Sequence, residues 1–190
     1  RTNLAIYERA LSAAGIPFDA GSRGGLLGAL EIRDMSALLE FFVTPLADLK
    51  FLHALRSPLF ACSDDDLLLL ASRAEASWWQ RLQALAAAGG AGPRLARAGR
   101  LLGDWLGLAE RLPAHDLLDR IFAQGEVINR YRLAAPAALR AGVEANLRAL
   151  LLLALDLVGW RFPSLPRYTE ELRELREADA NDAPDKGEIE

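Results

Sequence analysis

The chain has 190 residues, 52% of them hydrophobic, a single cysteine and a net charge of −4. That length and apolar content suit one domain of ordinary size with a substantial core, and exclude disorder over most of the sequence. The lone Cys62 excludes an internal disulfide framework and a cysteine-built zinc site, and the acidic balance excludes a domain that is basic throughout.

Charge is unevenly placed. Residues 169–190 hold nine acids against three bases, a net −6 within the chain's −4, so the remainder carries +2. The body is mildly basic and the tail acidic. Of the 22 bases, all but Lys50 and Lys186 are arginine, whose fork suits phosphate contact, although an arginine- and alanine-rich composition also follows from a GC-rich genome. No signal peptide opens the chain, and it starts on Arg1 rather than Met, so an excised segment and a reducing cytoplasm are expected.

In chain order, Leu4, Ile6, Tyr7, Ala10 and Leu11 have helical spacing over 4–13, with Gly15 as a stop. Residues 16–20 read as a short extended segment, and Gly21, Gly24 and Gly25 as a flexible turn. Ile32, Met35, Leu38, Leu39 and Phe42 predict an amphipathic helix over 31–43. Leu46, Leu49, Leu52 and Leu55, three apart, predict a short helix over 46–55, followed by a turn at Ser57-Pro58-Leu59-Phe60. Ser63 is placed to cap a helix whose first turn carries Asp64, Asp65 and Asp66. Further helices are expected at 76–88, 93–111, 113–124, 126–134, 136–159 and 168–178, with Gly89 to Pro93 as the main internal loop. Pro113 and Pro136 fit first-turn positions. The greasy run Ala149–Trp160 contains Asp156 and is too short to span a bilayer, so it is expected in the core and no membrane partner is foreseen. The fold class is mainly α, a multi-helical domain with at most one short strand.

Several segments resemble UvrD/Rep-type superfamily-one DNA helicases. Arg1-Thr2-Asn3, a helix and Gly15-Ile16-Pro17-Phe18 are similar to a segment of that family, as are Gly24-Gly25 followed by Glu31-Ile32-Arg33-Asp34. The family's aromatic after the glycines is replaced by Leu26 and Leu27. Leu55-Arg56-Ser57-Pro58-Leu59-Phe60, the run from Ala145-Asn146-Leu147 through Pro163-Ser164-Leu165 to Tyr168, and the tail Asp182 to Glu188 look more specifically like the helicase–nuclease branch, the AddA- and RecB-like subunits of exonuclease V type. The resemblance implies that 1–23 is a remnant of motor domain 2A, 24–177 a helical 2B-like subdomain, and 178–190 an acidic linker returning to 2A. It implies a piece of an ATP-dependent helicase/exonuclease subunit of double-strand break repair and recombination, contributing DNA engagement and regulation of unwinding. Its partners would be DNA, the remaining helicase domains and a second helicase–nuclease subunit. Residues Arg1, Thr2 and Asn3 would contact the DNA backbone, and Gly24 and Gly25 would form the hinge about which the 2B unit swivels.

The motor's own chemistry is not in the chain. No Gly-x-x-x-x-Gly-Lys-Ser/Thr loop is present, and neither lysine lies in such a setting. ATP and magnesium are therefore expected in the parent protein and no cofactor in this piece, which is expected to be inactive alone as ATPase and nuclease. Among other candidates, Asp64, Asp65 and Asp66 read as helix-capping acids rather than metal ligands, because consecutive helical residues point apart. Arg94, Arg97 and Arg100 could track phosphates but read more simply as a solvated helix face. Trp78, Trp79, Trp105 and Trp160 could stack bases but fit core packing, with one of the first pair more exposed. His53 and His115 are given no catalysis, and Cys62 is read as an inert small residue. Arg1, Thr2 and Asn3 have a plainer role as caps of the first helix. The competing reading of the whole is an all-α protein-interaction module with no DNA role, which the acidic net charge favours.

Overall fold

Ten α-helices and no strand occupy the residues that the computed structural model describes, 25–156 and 164–182. They are α1 (Gly25–Gly28), α2 (Leu30–Val43), α3 (Asp48–Arg56), α4 (Asp64–Ala71), α5 (Trp78–Ala87), α6 (Pro93–Ala109), α7 (Ala114–Gly125), α8 (Val127–Ala134), α9 (Arg140–Asp156) and α10 (Leu165–Asp182), with a 3-10 turn at Ala137–Leu139 before α9. The expected helix at 4–13, the extended segment at 16–20, Trp160 and the loop around it lie outside the described residues.

Helix α2 is the axis. Its apolar positions sit at helical spacing, and Ile32, Met35, Leu38, Leu39 and Phe41 are at most 1% exposed. Burial of each such side chain contributes about 1.5–3 kcal/mol. Around α2 pack α1, α3, α6, α9 and α10. Phe41 meets Phe51 of α3 at 5.0 Å between ring centroids and Trp79 of α5 edge-on at 5.9 Å. Trp105 of α6 is fully buried, and its indole N–H donates to Oε1 of Gln124 at 2.8 Å. The four-leucine stripe is the exception. Helix α3 buries Phe51, Ala54 and Leu55 instead, and Leu46 and Leu49 are left 73% and 82% exposed.

Local signals set most helix ends. Ser63 accepts from the Asp66 N–H while the Asp66 carboxylate accepts from the Ser63 N–H, a complete capping box. Ser77 and Gln80 build a second one before α5. Pro93 takes the first position of α6, whereas Pro113 and Pro136 sit one residue earlier than expected, in extended N-cap geometry. Glu126, with φ +54°, is the single left-handed residue between α7 and α8. Helix α10 starts ahead of Tyr168, with Pro166 in its first turn, and runs on to Asp182, into the stretch expected as linker.

Candidate partner-binding cleft

Where α2, the end of α3, the end of α8 and the start of α9 converge, a cleft of about 800 Å³ opens to solvent. One wall is apolar: Leu30, Ala134, Pro136, Leu139 and Val143. Leu30 and Leu139 stand at its mouth 71% and 53% exposed, two large aliphatic side chains beside a polar floor. The floor is built from Glu31, Asp34, His53, Ser57, Tyr131 and Asn146.

The floor is a tied polar network. Glu31 and Asp34, three apart on α2, present carboxylates on one face of the helix. Nε2 of His53 lies 2.6 Å from Oδ1 of Asp34, and the Tyr131 hydroxyl donates to Oδ2 at 3.0 Å. Asp34 thereby joins α2 to α3 and α8. Burial, then the Asp34 carboxylate, pushes the Tyr131 phenol well above its ordinary value, so it stays a neutral donor. Asn146 of α9 donates through Nδ2 to Oε1 of Glu31 at 2.7 Å. The Ser57 hydroxyl donates to the Ala54 carbonyl at 2.7 Å, so no Ser–His–Asp nucleophile is assembled here. Arg56 at the rim pairs with Asp64 at 2.7 Å.

The carboxylates therefore dominate the cleft's field. Glu31 is only 7% exposed yet lines the cleft, and among the described residues its carboxylate accepts one side-chain hydrogen bond, from Asn146. Such a site repels phosphate and attracts a cation. No group of His, Cys, Asp and Glu able to hold a metal ion occurs among the described residues.

The singled-out residues fare differently. Arg1, Thr2, Asn3 and Gly24 lie outside the described residues. Gly25 opens α1 at φ +56°, a left-handed backbone that favours glycine. Asp66 closes the capping box and Asp64 takes Arg56, as a helix-opening role requires. Arg94, Arg97 and Arg100 are not one solvated face. Arg94 reaches Asp66 at 4.0 Å, while Arg97 turns inward and donates to the carbonyls of Leu59 at 2.6 Å and Gly125 at 2.9 Å, stacking on Phe60. Burial, then Arg130, lowers its pKa. Only Arg100 of the three is an exposed side chain without an ion pair among the described residues.

Trp79 packs against Phe41 and Phe51, and Trp78 lies under the Arg81 guanidinium at 5.3 Å, so each ring makes contacts within the fold. His115 contacts Asp116 at 3.4 Å. Cys62 is buried, and desolvation pushes its thiol up to about 12. His53 and Tyr131 were missed as site residues because neither belongs to a local motif. Glu31, Asp34, Ser57 and Asn146, by contrast, all fall in the segments that carry the family resemblance, and the fold brings those segments together at one place.

No protein-family model matches the chain. Over 63 residues it is 36% identical to an ATP-dependent helicase/nuclease subunit of Clostridium botulinum strain Hall, covering 33% of this chain and 5% of that protein. Over 80 residues it is 36% identical to the protein of the same name from Clostridium kluyveri, covering 42% of this chain and 6% of that one. The chain's matched stretch thus spans about one-twentieth of the length of these curated relatives. A third or more of the chain is similar to helicase–nuclease subunits.

Proposed function

We propose that this chain is part of a helicase–nuclease subunit of double-strand break repair and forms its helical, 2B-like insertion, helping the motor engage DNA and regulating unwinding. The observation that carries the reading is the similarity to the two clostridial helicase/nuclease proteins over a third of the chain. An all-helical body without a phosphate loop fits an accessory role in such a protein. In this reading ATP and magnesium are bound by other domains of the same polypeptide, and Gly24 and Gly25 serve as the hinge. Arg1, Thr2 and Asn3 touch the DNA backbone, and a second helicase–nuclease subunit is the protein partner. Exposed Arg33, Arg100, Arg111 and Arg120 supply sequence-independent phosphate contacts.

The test replaces residues 25–178 by a flexible linker in the helicase–nuclease polypeptide. Unwinding of a tailed duplex should change while ATP turnover stimulated by single-stranded DNA survives; unchanged unwinding sinks the proposal. A second reading, an all-α interaction module, is favoured by one observation: the cleft's floor is acidic and its mouth greasy, a surface for protein rather than for phosphate.

A further inference from the structure

We infer that the cleft between α2, α8 and α9 is a docking site for a partner polypeptide segment that inserts one arginine side chain flanked by apolar residues. Three features lead there. The buried Glu31 carboxylate lines the cleft and, among the described residues, accepts a single side-chain hydrogen bond, from Asn146 to one oxygen at 2.7 Å. A carboxylate in a largely apolar recess wants a hydrogen-bond donor of opposite charge.

The second feature is the pairing of Glu31 with Asp34 one turn on. Asp34 is anchored by His53 and Tyr131 and cannot swing away. Two fixed carboxylates on one helix face suit a planar guanidinium, whose five N–H groups reach both, better than a compact ammonium. The arginine at the rim, Arg56, is already engaged by Asp64 at 2.7 Å and does not neutralise the floor.

The third feature is the mouth. Leu30 and Leu139 remain in water, with Pro136 and Val143 behind them, so apolar residues on both sides of the arginine have surfaces to cover. The volume, about 800 Å³, matches one long side chain with its apolar neighbours. Nucleic acid is the wrong occupant, because its phosphates would face two carboxylates.

The experiment uses the 190-residue chain, isotope-labelled, and an acetylated, amidated hexapeptide of sequence glycine-leucine-alanine-arginine-leucine-glycine. Its twin carries citrulline in place of arginine, which keeps the shape and removes the charge. Titration should shift the Asn146 side-chain amide and the backbone amides of Leu30, Glu31 and Leu139. Citrulline should weaken binding about tenfold. Glu31→Gln keeps an acceptor for Asn146 and should abolish the preference for arginine.

Leu30→Ser, at a 71% exposed position, should weaken both peptides without touching the fold. Should Glu31→Gln fail to fold, the two peptides on the unaltered chain and the Leu30→Ser variant still decide. No shifts at millimolar peptide, equal affinity for the two peptides, or shifts that map away from the cleft overturns the inference. None of these results bears on DNA unwinding, so the docking site and the helicase reading fail separately.

Discussion

Replacing Arg97 separates a structural arginine from a phosphate contact. In Arg97→Met the chain keeps its length and apolar stem but loses the bonds to the carbonyls of Leu59 and Gly125, at 2.6 and 2.9 Å. Those carbonyls belong to the turn after α3 and the end of α7, which Arg97 ties to α6. A hydrogen bond from a charged donor contributes roughly 1.5–3 kcal/mol when sheltered. Arg97 is half-buried, so about 1–1.5 kcal/mol each is the better figure after solvent screening. The contact with Phe60 adds about 0.5 kcal/mol. The expected loss is about 2.5–3.5 kcal/mol, or roughly 5–14 °C in Tm for a chain of this size. Thermal denaturation followed by circular dichroism reads it, with Arg100→Met, exposed on the same helix, as a control expected within about 0.5 kcal/mol of the parent. An Arg97→Met melting point within a degree of the parent would refute the structural assignment.

Two further substitutions probe the fold. Ala61 holds φ +52° in the turn that leads to α4, so Ala61→Gly should relieve left-handed strain and raise stability by up to about 1 kcal/mol in urea unfolding. Cys62, with its thiol raised to about 12 from 9.0, should resist alkylation at pH 8 in the native state and react promptly in denaturant. Because the unfolded thiol ionises first, the stability Cys62 confers is complete below about pH 9 and is lost as pH rises from 9 to 12; Cys62→Ala should remove that part of the alkaline slope.

Much of the fold was legible in the sequence. The period of Ile32, Met35, Leu38, Leu39 and Phe42 gave α2 its buried face, and Ser63 with Asp66 marked the start of α4. Ser77 and Gln80 carry the same signature and could have fixed α5 in the same way. The leucine stripe misled because a spacing of three residues drifts about 60° per step around an α-helix, and because the helix begins only at Asp48. Leu49 therefore drops off the face that Phe51, Ala54 and Leu55 bury, while Leu46 lies in the turn before the helix.

The cleft was not legible. Tyr131 reaches Asp34 across 97 positions and Asn146 reaches Glu31 across 115, and periodicity carries no information about such pairs. Arg97 fits a solvated row by spacing alone for the same reason: its partners, the Leu59 and Gly125 carbonyls, come from distant turns. Only family resemblance pointed at Glu31, Asp34, Ser57 and Asn146, and it did so without saying that they meet.

The central claim, a DNA-engaging piece of a helicase–nuclease, is tested most directly by fluorescence anisotropy of the chain with a duplex bearing a single-stranded tail, titrated at low and physiological salt. The account predicts sequence-independent binding that weakens with salt, with a log–log slope of about −2 to −4 for a handful of arginine–phosphate contacts. Truncation after Ala178 removes five acids and one base and should tighten binding at low salt. No binding by either form at low ionic strength would contradict the claim and leave the interaction-module reading in its place.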